Sequence, residues 1–337
     1  MIQCTSYFAC PLGAMLCLAM MGICYQYGAT KLDNYRYPAP GTLTDVGGYK
    51  LHSYCTGSGK PTVILDAGMG GDSTWWRLVQ QDVSTFTRVM SYDRAGYGWS
   101  DAGPEPRTSA IIVKELHTLL HNQGIQPPYI LVGHSFGGTN MKLYANTYPD
   151  EVYALILVDA CYEKQWEKFV AYDRENPPVP KTVWDSINEY WWHMINSKPA
   201  HYMGITRLFM PSMMKPFFAG VMPKDLQQVI IAKASALKSL ETFESEQHHC
   251  AESFDQSANA SNFMINKPLI VISHGKKEDA RSDAIWPECQ KALLNDSTQS
   301  QHIIAHKSGH MINVEQPEVI VEAIRALVEQ YNNANSI

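Results

Sequence analysis

The chain has 337 residues with a net charge of −6; 45% of them are hydrophobic and 18% charged. That length and balance suit one large α/β unit carrying an insertion, or two smaller units. The acidic balance, with no basic run interleaved with aromatics, excludes nucleic acid as a partner.

Residues 1–30 contain no charged side chain, and Tyr7–Tyr27 is a near-continuous apolar run. About 20 helical residues cover a bilayer core of about 30 Å, so the run predicts an uncleaved single-pass membrane anchor. A cleaved signal peptide is the rival, but the basic leading region and an A-x-A site are both missing. Deleting residues 1–30 is then expected to release a soluble, active body. Asn34–Gly41, with Pro38 and Pro40, reads as a linker, so residues 1–40 form anchor plus linker.

The body opens with Val46-Gly47-Gly48-Tyr49 as a turn between two short strands, the second over Lys50–Tyr54. Pro61–Asp66 is an apolar strand running into Ala67-Gly68-Met69-Gly70-Gly71, and Arg88–Tyr92 is the next strand. Thr108 or Ser109 starts a helix whose Ile112, Leu116, Leu119 and Leu120 share one face, with Gly124 closing it. Tyr129–Val132 and Ala154–Asp159 are further strands of the fully buried type. From Cys161 to Lys267 the alternation gives way to helical composition rich in Trp, Met and Phe. It returns with the strand Pro268–His274, a helix around Trp286–Leu294, the strand Gln301–Ala305 and a last helix over Pro317–Gln330. Strands alternating with helices predict a mainly parallel, doubly wound sheet covered on both faces. The expected division is a core over 41–160, a helical cap over 161–267 and the rest of the core over 268–337.

Within this frame, Gly133-His134-Ser135-Phe136-Gly137 follows a buried strand and precedes the helical stretch NMKLYA. G-x-S-x-G between strand and helix is the context of a nucleophile elbow, so Ser135 is the candidate nucleophile. A serine hydroxyl needs a base, and His310 in Ser308-Gly309-His310-Met311 sits on a loop between the last strand and the closing helix. His302 lies inside the strand pattern and His306 lacks a flanking glycine, so both rank behind it. Two places offer the acid. Asp159 ends the strand after the elbow, where neighbouring parallel strands finish at one edge. Glu278, Asp279 and Asp283 follow Pro268–His274 in the charged loop GKKEDARSD. Asp159 is preferred. Main-chain N–H groups of Phe136 and Met69 are the candidate oxyanion donors.

Metal chemistry has no comparable support. Cys55, Cys161, Cys250 and Cys289 form no C-x-x-C pair, and one disulfide among them stays open. Adjacent residues in His248-His249-Cys250 point in different directions and read as exposed polar helix. No cofactor is implied.

The motifs LDAGMGG, SYDRAGYGWSD, VGHSFGG, LILVDA and SGHMINVEQPE, taken together over about Gly41–Gln330, resemble the α/β-hydrolase superfamily in its lidded esterase/lipase-like branch. The resemblance implies an eight-stranded, mostly parallel sheet with a helical cap after strand six, and the roles given above for Ser135, His310, Met69 and Phe136. Many relatives have His-Gly where this chain has Ala67-Gly68. Some relatives, certain dehalogenases among them, carry the acid after strand six, as Asp159 does. Epoxide hydrolases and haloalkane dehalogenases have aspartate where Ser135 stands, so serine points to acyl transfer to water. The expected activity is hydrolysis of small-molecule carboxylic esters with apolar groups, which Trp191, Trp192, Phe217 and Phe218 would admit above Ser135. An amidase or peptidase of the same fold is the alternative, and a non-catalytic binding protein the more distant one.

Overall fold

The computed structural model describes residues 6–177, 182–258 and 266–335. Eight strands form one sheet in the order β1-β2-β4-β3-β5-β6-β7-β8. They are β1 (Thr42–Asp45), β2 (Lys50–Thr56), β3 (Thr62–Asp66), β4 (Val89–Tyr92), β5 (Tyr129–His134), β6 (Val152–Val158), β7 (Leu269–His274) and β8 (Ser300–Ala305). β1 and β2 form a hairpin that joins β4 antiparallel; every later pairing is parallel.

The apolar runs become strands because each has two faces to bury. In register, Ile64 lies beside Leu131 and Leu131 beside Leu155. These three side chains join one buried cluster with Leu116 and Leu119. Their chain neighbours Val63, Val132 and Ile156 point the other way and pack with Ile320 and Ile324. The helices covering the faces are α2 (Arg77–Val83), α3 (Ser109–Asn122), α4 (Phe136–Thr147), α12 (Ala280–Leu293), α13 (Ile312–Glu315) and α14 (Pro317–Ala334). α2 and the 3-10 turn Ser73–Trp76 before it were not legible in the sequence. They follow the β3 loop, where Asp72 accepts from the Thr74 N–H at 2.9 Å.

Between β6 and β7 the described chain is helical: α5 (Gln165–Glu175), α6 (Val183–Ile195), α7 (Lys198–Tyr202), α8 (Ile205–Met214), α9 (Lys224–Ala234), α10 (Leu237–His248) and α11 (Cys250–Ala258). α5 packs on α12, α11 on α3 and α4, and α6 on α7 and α8. The aromatics expected at an entrance divide. Phe218 is 2% exposed and stacks on Trp75 with ring centroids 5.9 Å apart, whereas Trp191, Trp192 and Phe217 are exposed.

The N-terminal helix α1 (Ser6–Arg36) contains the run expected as an anchor. Among the described residues no helix is long and apolar enough to cross a membrane, so an anchor over Tyr7–Tyr27 is not supported. The side chains of residues 7–12 lie outside those described. The helix does not stop at the apolar run but continues for 31 residues through Lys31, Asp33 and Arg36. Its later part is docked. Gln26, 1% exposed, donates to the Ser235 carbonyl at 2.8 Å, and Arg207 of α8 reaches Gln26, Thr30 and Asp33. Asn34, assigned to the linker, is helical and accepts from Lys233 Nζ at 3.1 Å.

Candidate active site

β5 ends at His134 and α4 begins at Phe136, leaving Ser135 alone in the turn at φ 52 and ψ −121. A non-glycine residue there stores on the order of 1–3 kcal/mol, which the surrounding contacts must hold. They do so through the main chain. The Ser135 N–H donates to Val158 O at 3.1 Å, and its carbonyl accepts from Gly138 and Cys161 at 3.0 and 3.1 Å. The flanking glycines are steric requirements: a Cβ on Gly133 would overlap the Gly137 carbonyl, and one on Gly137 the Asp66 carbonyl. The hydroxyl faces the Cys161 thiol, with Oγ and Sγ 3.9 Å apart.

Asp159 stands one residue beyond β6, fully buried and at φ 44. Its Oδ2 accepts from His310 Nδ1 at 2.6 Å and from His274 Nδ1 at 2.8 Å. Its Oδ1 accepts from the His274 N–H at 3.0 Å and from Trp286 Nε1 at 2.8 Å. Burial alone would raise this carboxyl; the hydrogen bonds from His274 and His310 outweigh it and hold the group well below the ordinary carboxylate range. The later loop does not compete for the histidine. Glu278 is exposed, and Asp279 serves as N-cap of α12, accepting from the Arg281 and Ser282 N–H groups at 3.0 Å each. Asp283 accepts from the Glu278 N–H at 2.9 Å.

Elsewhere, His302 sits on β8 with Nε2 2.8 Å from Ser273 Oγ, and His306 is exposed. Phe136 occupies the first position of α4, where an N–H has no partner within its helix. Met69 follows Gly68, where an added Cβ would lie 3.2 Å from the Ser135 Cβ. Its half-buried side chain packs with Cys161 and Cys250 against Ile112, Phe136 and Phe254. Cys250 is therefore part of an apolar wall beside the elbow rather than exposed polar helix. Cys55, Cys161, Cys250 and Cys289 are free thiols, which closes the disulfide alternative among them.

Four side chains around this edge were not singled out by the sequence. His134 Nε2 lies 2.9 Å from the His310 carbonyl and links the elbow to the histidine loop. His274, the last residue of β7, and Trp286 of α12 complete the carboxylate's partners. The signal for His274 was available: it ends a parallel strand next to the one that Asp159 follows. Arg94, 1% exposed, fixes the loop that holds Met69. It donates to the carbonyls of Ala67 and Gly68 at 2.6 and 2.9 Å, and to Asp66 and to Glu246 of α10 at 2.8 and 2.7 Å.

An elbow serine between β5 and α4, with a buried carboxylate and an imidazole at the same edge of an eight-stranded sheet, calls for comparison with known folds. The alpha/beta hydrolase fold family matches residues 61–192. The chain is an α/β-hydrolase fold protein. An "AB hydrolase superfamily protein" of Gibberella zeae is 22% identical over 296 residues, 80% of this chain and 87% of that one. The "Probable transporter efuK" of Hormonema carpetanum is 25% identical over 334 residues, 88% of this chain but only 44% of that relative's length. A solved esterase from Thermogutta terrifontis superposes with a TM-score of 0.57 at 20% identity, covering 86% of this chain and 97% of its own. These likenesses concern the α/β-hydrolase scaffold; the chemistry has to be argued from the residues at its edge.

Proposed function

We propose that this protein is a serine hydrolase that cleaves carboxylic esters of apolar substrates through an acyl-enzyme on Ser135. The observation that carries the reading is the 2.6 Å hydrogen bond between His310 Nδ1 and Asp159 Oδ2, beside a serine in a strained turn. The buried carboxylate can only accept, so Nδ1 carries the proton and Nε2 is left as the base. His310 takes the Ser135 proton as the oxygen attacks the ester carbonyl, and Asp159 stabilises the imidazolium that forms. The developing oxyanion is met by the N–H groups of Phe136 and Met69. The imidazolium then protonates the leaving alkoxide, and water repeats the sequence on the acyl-enzyme. The wall of Met69, Phe254, Cys161 and Cys250 gives an apolar acyl group its surroundings.

Labelling with a fluorophosphonate tests the reading. One adduct per chain on Ser135, absent from Ser135→Ala, together with burst release of p-nitrophenol from a short acyl ester, is the expected result. Equal labelling of Ser135→Ala, or faster turnover of a matched amide than of the ester, would overturn it.

A further inference from the structure

Asp159 has about four acceptor sites, and all four are taken. Two of the donors belong to His274, which contributes its main-chain N–H to Oδ1 and its Nδ1 to Oδ2. Oδ2 is therefore shared by two imidazoles, His310 at 2.6 Å and His274 at 2.8 Å. Their surroundings differ: the His274 side chain is 9% exposed and that of His310 34%. We infer that His274 is a positioning residue that divides the Asp159 carboxylate with His310, so that its own protonation sets how much negative charge supports the catalytic imidazolium. The inference rests on the serine-hydrolase reading above.

One carboxylate oxygen serves two imidazole donors. When His274 is neutral, its Nδ1–H is a dipolar donor that fixes the carboxylate plane and leaves the full negative charge to His310. When His274 is protonated, the same hydrogen bond is charge-assisted and the carboxylate is already neutralised. The imidazolium that His310 becomes during attack would then share Oδ2 with a second cation. The groups facing His274 are Asp159 beyond β6, His310 on the loop after β8, Glu278 in the loop before α12 and Asp283 in its first turn; the Trp286 ring stacks on it at 6.4 Å. Burial opposes its charge, but the hydrogen bond to Asp159 and the three carboxylates outweigh burial and raise its pKa above the ordinary histidine value. A proton on His274 therefore adds to the one that an imidazole base takes up on the acid side of the profile.

The experiment is the pH profile of kcat/KM for a p-nitrophenyl ester in wild type, His274→Asn and His274→Ala, each first titrated with fluorophosphonate. An Asn amide keeps an N–H donor for Oδ2 but cannot titrate. The acid limb of the wild type is expected to steepen toward a loss of about 100-fold per pH unit, the slope for two protons, and that of His274→Asn to stay at about tenfold, the slope for one. His274→Ala is expected to lower kcat by about tenfold or more at pH 9 with little change in KM, as removal of an orienting donor does, and His274→Asn to recover most of that loss. A one-proton limb in wild type, or superimposable profiles for wild type and His274→Asn, would overturn the inference. Should His274→Ala fail to fold, the comparison with His274→Asn still decides. Absence of phosphonate labelling in wild type would instead remove the serine-hydrolase reading itself.

Discussion

His134 donates from Nε2 to the main-chain carbonyl of His310 at 2.9 Å, with the two rings 4.7 Å apart. One residue of the elbow thus holds the backbone of the loop that carries His310. The carbonyl can only accept, which fixes the proton on Nε2.

That arrangement gives a stability prediction with a definite sign. Burial, assisted by the nearby His310, pushes the His134 pKa down to about 3. In the folded chain the ring stays neutral down to that value, whereas unfolded histidine takes up a proton below about 6.5. The unfolded state therefore binds more protons between these limits, and stability falls as pH falls through them, by up to about 1.4 kcal/mol per unit. Urea melts from pH 7 to pH 4 should show this slope, and His134→Gln should flatten it. Parallel slopes would place the acid sensitivity elsewhere.

The two candidate acids separate cleanly by substitution. Asp159→Asn should reduce kcat by about 10³–10⁴-fold, because the amide can no longer hold the imidazole as a proton-bearing donor or stabilise its cation. Glu278→Gln should leave ester turnover within about twofold of wild type, as expected for an exposed side chain that is not among the hydrogen-bond partners of Asp159. Asp279→Asn keeps an N-cap acceptor and should cost well under 1 kcal/mol of stability with turnover intact. The reverse pattern in steady-state assays would move the acid to the later loop.

Arg94 joins the loop after β3 to the insertion through Asp66, Ala67, Gly68 and Glu246. Burial disfavours its charge, but Glu246 and Asp66 outweigh that and raise its pKa further. Arg94→Met should destabilise the fold by about 3–5 kcal/mol, since it strands two buried carboxylates. The double variant Arg94→Met/Glu246→Gln should recover part of that loss in denaturant titrations. Additive losses would mean that the pair is not coupled.

Arg207 is the corresponding tie between α8 and α1, reaching Gln26, Thr30 and Asp33. Arg207→Met should cost about 1–3 kcal/mol, the range for losing charge-assisted bonds in a partly buried site. Limited proteolysis should then cut α1 earlier than in wild type. Truncation at residue 30 removes Gln26 and Thr30 as well, and should lower the melting temperature rather than release an unchanged body. An unaltered melting curve after truncation would show that α1 contributes nothing to the body.

Much of this molecule could be read from the sequence because its signals are local. Apolar runs such as TVILD and LILV bury both faces wherever they are placed, and G-x-S-x-G follows from the space between Gly133, Gly137 and Asp66. The glycine and strand context also singled out Ser135, His310 and Asp159, of which the last two meet in a 2.6 Å hydrogen bond. The helix of residues 6–36 shows where such local signals end: a window of apolar residues says nothing about Gln26 docking on Ser235 from 209 positions away in the chain.

By itself, then, the sequence determined the strands, the elbow and the order of serine, acid and histidine, all of which rest on side-chain period and backbone sterics. Only the tertiary structure decided what surrounds the carboxylate and what the N-terminal helix rests on. Those depend on which strand ends share an edge, so His274, Trp286 and His310 meet Asp159 although 115, 127 and 151 positions separate them from it. Hydrogen bonds formed across such distances leave no periodicity in the chain.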